Sequence, residues 1–183
     1  MRTSDLDILI VPGHRGAGPD HWQSRWQQKL STARRVSPRP ERRALREAWS
    51  EALIEAIERA TRPVIIVAHD IGVIATAQSA ALFDAGRLRG AFLVAPPSRE
   101  AIRAMAGVEA AFADIPSDPL PFPSLLVASR TDPLATFGES EDLSYAWGSA
   151  FVDAGESGHI DDASGHGPWP EGLMRLAGFL AKL

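Results

Sequence analysis

The sequence predicts a three-layer α/β architecture built on a doubly wound, mostly parallel sheet. Three observations carry that reading. Short continuous apolar runs alternate with segments of helical periodicity, the runs end in turns containing Gly or Pro, and no repeat or polar linker interrupts the alternation. Ile8-Leu9-Ile10-Val11 stops at Pro12-Gly13, the pattern of a central strand covered on both faces. After the loop from His14 to Asp20, Asp20 is placed to cap a helix that carries Trp22, Trp26 and Leu30 at helical spacing. Arg35-Val36-Ser37 is a candidate edge strand, broken by Pro38 and Pro40. From Arg42 to Ala60, the residues Leu45, Trp49, Leu53 and Ile57 form one apolar stripe of an amphipathic helix.

Val64 to Val67 is the next strand, and it runs abruptly into the turn Ala68-His69-Asp70-Ile71-Gly72. A helix rich in small residues follows from Ala75 to Phe83. Gly90 to Ala95 forms another strand, closed by Pro96-Pro97, while residues 98–120 hold at most one or two short helices. Ser124 to Ser129 is a strand, Glu139 to Trp147 a helix and Ala150 to Val152 a strand. Gly155 to Pro168 is a long Gly-rich loop. Pro170 opens the last helix, packed down by Leu173, Leu176, Phe179, Leu180 and Leu183.

With 183 residues, 45% hydrophobic and 23% charged, the chain is expected to fold as one domain over residues 1–183. A net charge of -4 and a pI near 5.7 leave no basic face for nucleic acid. The absence of cysteine removes disulfides, thiol nucleophiles and cysteine-bound metals. No basic leader precedes the first strand, and no apolar stretch approaches the roughly 20 residues of a membrane span, so cytoplasmic localisation is expected. The composition does not set the oligomeric state.

Ligands of such sheets bind outside the carboxyl ends of the strands. The polar residues there are His14 and Arg15, Asp70, Asp132, and His159 in the last loop. The strand, sharp turn and helix around Asp70 match the spacing of a nucleophile elbow, with Ala68 and Gly72 at the two small-residue positions. The order Asp70, Asp132, His159 is the nucleophile, acid, histidine order of one class of catalytic triad. Each residue also has a structural reading: Asp70 as a helix cap, Asp132 as a turn aspartate before Pro133, His159 as a loop histidine bonded to backbone.

Several stretches together resemble the small lidless α/β hydrolases of the YdeN type, relatives of retinoblastoma-binding protein nine. They are Val11-Pro12-Gly13, Gly18 to Trp26, Val67-Ala68-His69 with Gly72, Leu93 to Pro96, Leu120 to Ser124, Val127-Ala128-Ser129 with Asp132-Pro133, Trp147-Gly148-Ser149, Gly158-His159-Ile160, Ser164-Gly165 and Gly167 to Pro170. The resemblance implies an α/β hydrolase fold with minimal or no cap and a Ser-Asp-His triad acting on small esters or amides. Asp132 and His159 carry over as acid and histidine, and the backbone N–H groups of His14 and Ile71 as the oxyanion hole. The chain departs from the family at the nucleophile, where A-H-S-x-G becomes Ala68-His69-Asp70-Ile71-Gly72. It also lacks the family's aspartate-tryptophan pair between Arg35 and Trp49.

A carboxylate nucleophile changes the accessible chemistry. Attack of Asp70 on an ester carbonyl collapses backwards, because a carboxylate of pKa about 4 is a far better leaving group than an alkoxide. Displacement at a saturated carbon has no such obstacle: it forms an alkyl ester that a water activated by His159, oriented by Asp132, then hydrolyses. The expected activity is a small-molecule hydrolase with Asp70 as nucleophile or base, on an epoxide, a halide or an ester. Two alternatives stand beside it: a catalytically inactive binding module, and a lyase or cyclase using Asp70 and His159 as acid and base. Arg15, Trp22 and His166 are candidate substrate contacts, and His14, Arg15, His166 and Tyr145 candidate proton donors. No cofactor is expected, and no paired ligand spacing supports a metal. His21 is expected to be buried and hydrogen-bonded, and His69 to point away from the site.

Overall fold

The computed structural model describes residues 3–36, 38 and 43–183. Its strands are β1 (Asp7–Val11), β2 (Ala33–Arg35), β3 (Val64–His69), β4 (Leu88–Val94), β5 (Ser124–Ala128) and β6 (Ala150–Asp153). They form one sheet in the order β2-β1-β3-β4-β5-β6, and every neighbouring pair is parallel. Six helices flank it: α1 (Trp22–Lys29), α2 (Arg46–Glu58), α3 (Ile71–Ser79), α4 (Arg99–Ala104), α5 (Phe137–Trp147) and α6 (Pro170–Leu180). Strand order reverses between β1 and β3, so the crevice at their carboxyl ends is the switch point where this class of sheet binds ligands.

Alternation along each strand divides the core into two layers. Leu9, Val11, Ile66 and Ala68 face the layer that holds Leu53 of α2 and Ile74 of α3. Ile8, Ile10, Ile65 and Val67 face Trp22 and Trp26 of α1 and Leu176 of α6. Because both faces are covered, all six residues of β3 are buried, as the unbroken apolar run predicts. Each fully buried large side chain there contributes about 1.5–3 kcal/mol.

Several boundaries differ from the sequence reading. The cap of α1 is His21, not Asp20: His21 has extended backbone angles, and its Nδ1 accepts the Gln23 N–H at 3.2 Å. Asp20 instead pairs with Arg25 at 2.6 Å. The edge strand is Ala33–Arg35, with Val36 N–H still bonded to the Ile10 carbonyl. Ser37, expected in that strand, and Arg42, expected to start α2, lie outside the described residues. Helix α3 begins at Ile71, four residues before Ala75, because the elbow passes directly into it. Between β4 and β5 there is one six-residue helix and a single 3-10 turn at Ala110–Ala113, too little chain structure to roof the crevice as a cap domain does.

Candidate active site

Asp70 joins β3 to α3 with φ 53° and ψ -131°. Such a backbone costs a non-glycine residue about 1–3 kcal/mol and persists only where surroundings impose it. Here Asp70 N–H donates to Val94 O at 3.2 Å, and Asp70 O accepts from Val73 at 2.9 Å. Two glycines allow the close approach. A Cβ on Gly72 would stand 2.6 Å from Pro12 O and 2.7 Å from Val11 O, and one on Gly13 would stand 2.3 Å from Asp70 Oδ2. The elbow is thus pressed against the end of β1.

The three candidate triad residues meet at this point. His159 Nδ1 lies 3.0 Å from both carboxylate oxygens of Asp132. A carboxylate only accepts, so Nδ1 carries the proton. Asp132 Oδ1 also accepts the Leu134 N–H at 2.9 Å. On the other side of the ring, His159 Nε2 is 3.7 Å from Asp70 Oδ1, and both atoms are buried without a hydrogen-bond partner among the described residues. Asp70 Oδ2 has a different neighbour, His14 Nδ1 at 3.4 Å.

The loop that carries His159 is held from several directions. Gly158 and Ile160 both have positive φ, turning the chain sharply on either side of His159. Trp22 Nε1 donates to Ile160 O at 2.8 Å, and Gly158 N–H donates to Thr131 Oγ1 at 3.0 Å. His69 Nε2 meets the His159 carbonyl at 2.9 Å and must donate to it.

Charge follows from these contacts. Burial alone would depress His159, but the carboxylates of Asp132 and Asp70 outweigh it and push its pKa up to about 10. Burial works to raise Asp70, yet the hydrogen bond from His14 and the close imidazoles of His159 and His69 hold it well below the usual carboxylate range. At neutral pH the site therefore holds an imidazolium between two carboxylates. Behind it, burial and then the neighbouring imidazole push His69 down to about 4 and His21 down to about 3, so both are neutral. The rings of His21 and His69 are 5.0 Å apart, and those of His69 and His159 4.8 Å.

Of the residues expected at the site, Asp70, Asp132, His159 and His14 come together; Trp22, Arg15 and His166 do not. Trp22 is fully buried among Trp26 and Trp169, and the one polar atom of its side chain is spent on Ile160 O. It therefore fixes the histidine loop and cannot touch substrate. Arg15 is exposed at the tip of the Gly13–Gly16 turn. His166 packs against Trp169 and near Ser164. Tyr145 is 90% exposed on α5. Ser98, Ser129 and Ser157 each serve local backbone: Ser98 caps α4, and the other two tie the loops after β5 and β6 together.

Two contacts were not anticipated. The polar group that reaches the Asp70 carboxylate from the first loop is the imidazole of His14, which the sequence reading offered as a candidate proton donor, beside its backbone N–H, but not as a partner of Asp70. His69 does lie on the face of the sheet opposite the α3 layer, beside His21 and Trp22. It nevertheless buttresses the main chain of His159. The only sequence signal for either was a histidine next to a motif glycine or a motif aspartate. A cavity of about 280 Å³ opens past the end of β4, lined by Pro96, Pro97, Ile115, Pro116, Leu143 and Ala146 among others, and not by the triad. Among the described residues no cluster of His, Asp and Glu has the arrangement of a metal site, and no helix is long and apolar enough to cross a membrane.

Comparison with known proteins agrees with this fold. The chain is similar over 97% of its length to a protein described as a YdeN-like hydrolase from Pectobacterium atrosepticum, with 32% identity, a TM-score of 0.84 and 91% of that chain covered. The ydeN gene product of B. subtilis superposes with a TM-score of 0.77 at 18% identity, over 97% of this chain and 99% of that one. Est1E from Butyrivibrio proteoclasticus, solved with ferulic acid, has the same fold at 13% identity and a TM-score of 0.68, over 93% and 88% of the two chains. No curated protein sequence matches. The model of one family, described as serine hydrolase, matches residues 8–178, and the chain belongs to that serine hydrolase family.

Proposed function

We propose that this chain hydrolyses small epoxides through a covalent ester on Asp70. One observation carries the reading: on a strained elbow, a buried and unpartnered Asp70 Oδ1 faces the unpartnered Nε2 of a His159 whose other nitrogen is fixed by Asp132. In the first step Oδ1 attacks an epoxide carbon, the C–O bond breaks, and the alkoxide takes a proton from the His159 imidazolium, directly or through one water. That transfer becomes easier as it proceeds, because the Asp70 charge that raised the His159 pKa is consumed.

His159, now neutral, removes a proton from water as the water oxygen attacks the Asp70 carbonyl carbon. Collapse breaks the bond to Oδ1, and His159 returns its proton to the departing diol. The new Asp70 carboxylic acid then reprotonates His159. The ring therefore begins and ends the cycle as an imidazolium, which is the state that its surroundings favour. A halide substrate needs no proton in the first step and calls for N–H donors around the leaving atom, whereas the indole N–H of Trp22 is already bonded to Ile160 O. Ester hydrolysis through Asp70 meets the leaving-group obstacle stated above.

The test is single-turnover reaction in oxygen-18 water with a panel of small epoxides, alkyl halides and activated esters, followed by mass spectrometry of the Asp70 peptide. Label in that peptide with epoxides, absent in Asp70→Asn, is the expected result. Turnover without label would make Asp70 a general base. A second reading, a hydrolase-fold binding protein, draws on the full burial of Oδ1 and Nε2; a folded protein that turns over no panel member would favour it.

A further inference from the structure

The two oxygens of Asp70 have different surroundings. Oδ1 faces the unpartnered edge of His159, whereas Oδ2 lies against the Gly13 backbone and the His14 ring. A methyl group at Gly13 would reach Oδ2 at 2.3 Å and the Asp70 Cγ at 3.0 Å, so the missing side chain is what lets the carboxylate seat there. The turn that carries His14 is closed by Gly16 N–H on Gly13 O at 2.9 Å, with Gly16 at φ 75°. Within that turn the His14 side chain is 13% exposed and its Nδ1 stands 3.4 Å from Oδ2. A carboxylate oxygen cannot donate, so the ring must present Nδ1–H.

We propose that the imidazole of His14 is a catalytic residue that assigns the two oxygens their roles, leaving Oδ1 to attack and binding Oδ2 as the carbonyl oxygen of the ester. This inference rests on the covalent reading of Asp70. Once Oδ1 is alkylated, Oδ2 is the atom on which negative charge develops when water adds to the carbonyl carbon. A donor already aimed at that atom, at a buried position, acts where the charge appears and not at the leaving oxygen. His14 then accelerates hydrolysis of the intermediate much more than its formation. On this basis the first loop contributes a side chain to the chemistry, a role that a backbone N–H alone does not fill.

The experiment has two readouts on the full chain. Nitrogen-15 NMR of the wild type reports the His14 tautomer without any substrate: Nδ1 should carry the proton, and the Asp70→Ala variant should release that preference. Pre-steady-state mass spectrometry on the epoxides that label Asp70 then compares His14→Leu with His14→Asn, whose amide nitrogen takes the place of Nδ1. His14→Leu should slow loss of the intermediate about 10²-fold and so accumulate it, with its formation changed only a few-fold, and His14→Asn should recover much of the loss. A His14 ring that keeps its proton on Nε2 alone overturns the proposal, as does an unchanged rate of intermediate hydrolysis in His14→Leu or an equal slowing of both steps. An intact Nδ1–H with no label on Asp70 in the wild type overturns instead the covalent reading and keeps His14 as the ligand of Oδ2.

Discussion

Asp70 and Asp132 stand on opposite nitrogens of one imidazole, yet their surroundings are unlike. Asp132 is fixed by two 3.0 Å contacts to His159 Nδ1 and by the Leu134 N–H. Asp70 is fixed through its backbone, on the strained elbow, while its Oδ1 accepts no hydrogen bond among the described residues. A saturated carboxylate orients; an unsaturated one is poised to react. The comparison teaches that residue type does not define the role here, since both are aspartates at strand ends. The hydrogen-bond inventory around each does.

The largest expected effect separates the two. Asp70→Asn should remove turnover and labelling together, a loss of about 10⁴-fold or more, whereas Asp132→Asn should lose turnover by about 10⁴-fold but still form the Asp70 ester and accumulate it. Labelling kinetics on both variants would show it; an Asp132→Asn variant that forms no intermediate would erase the distinction. Next, His159→Ala leaves two carboxylates buried around a lost cation and should destabilise the fold by about 3–5 kcal/mol, measured by urea denaturation at neutral pH.

The glycines behind the elbow sharpen the same contrast. Gly13→Ala pushes a methyl group into Oδ2 and should lower turnover about 10²-fold by displacing the carboxylate, with little change in melting temperature. Gly72→Ala meets the backbone oxygens of Val11 and Pro12, which cannot swing aside, and should cost about 1–3 kcal/mol of stability. Equal stability losses in the two variants would mean that Gly13 serves the fold and not the carboxylate.

The smallest effect is in pH dependence. The raised His159 pKa contributes stability that is fully present below about pH 6.5 and lost as pH rises through about 10. The lowered Asp70 pKa contributes stability that is present above the ordinary carboxylate range and lost as pH falls below it. Melting temperatures should thus be highest between the carboxylate range and about pH 6.5, and should fall as pH rises from there toward 10 and as it drops into the carboxylate range. In Asp70→Asn, NMR titration of His159 should give a lower pKa than in the wild type, because one of its two flanking charges is gone.

Much of this molecule was legible in its sequence. The apolar runs at Ile8 and Val64 and the stripe through Leu53 and Ile57 carry their periodicity in the residues themselves, so strands, helices and their alternation follow from local physics. The candidate triad was readable as an order along the chain because Asp70 directly follows β3, Asp132 lies in the loop after β5 and His159 in the last loop. Boundaries were less so: Asp20 has the chemistry of a helix cap, and only the packing of α1 gave that place to His21. The atomic pairing around Asp70 was not legible. His14, Asp70 and His159 are separated by 55 or more residues, and which nitrogen meets which oxygen depends on how closely β1 and β3 bring Gly13 and the elbow together. The sequence by itself determined the layers and the chemical groups available; the tertiary structure decided their pairing, because hydrogen bonds and pKa values depend on distances of a few ångströms that no spacing along the chain encodes.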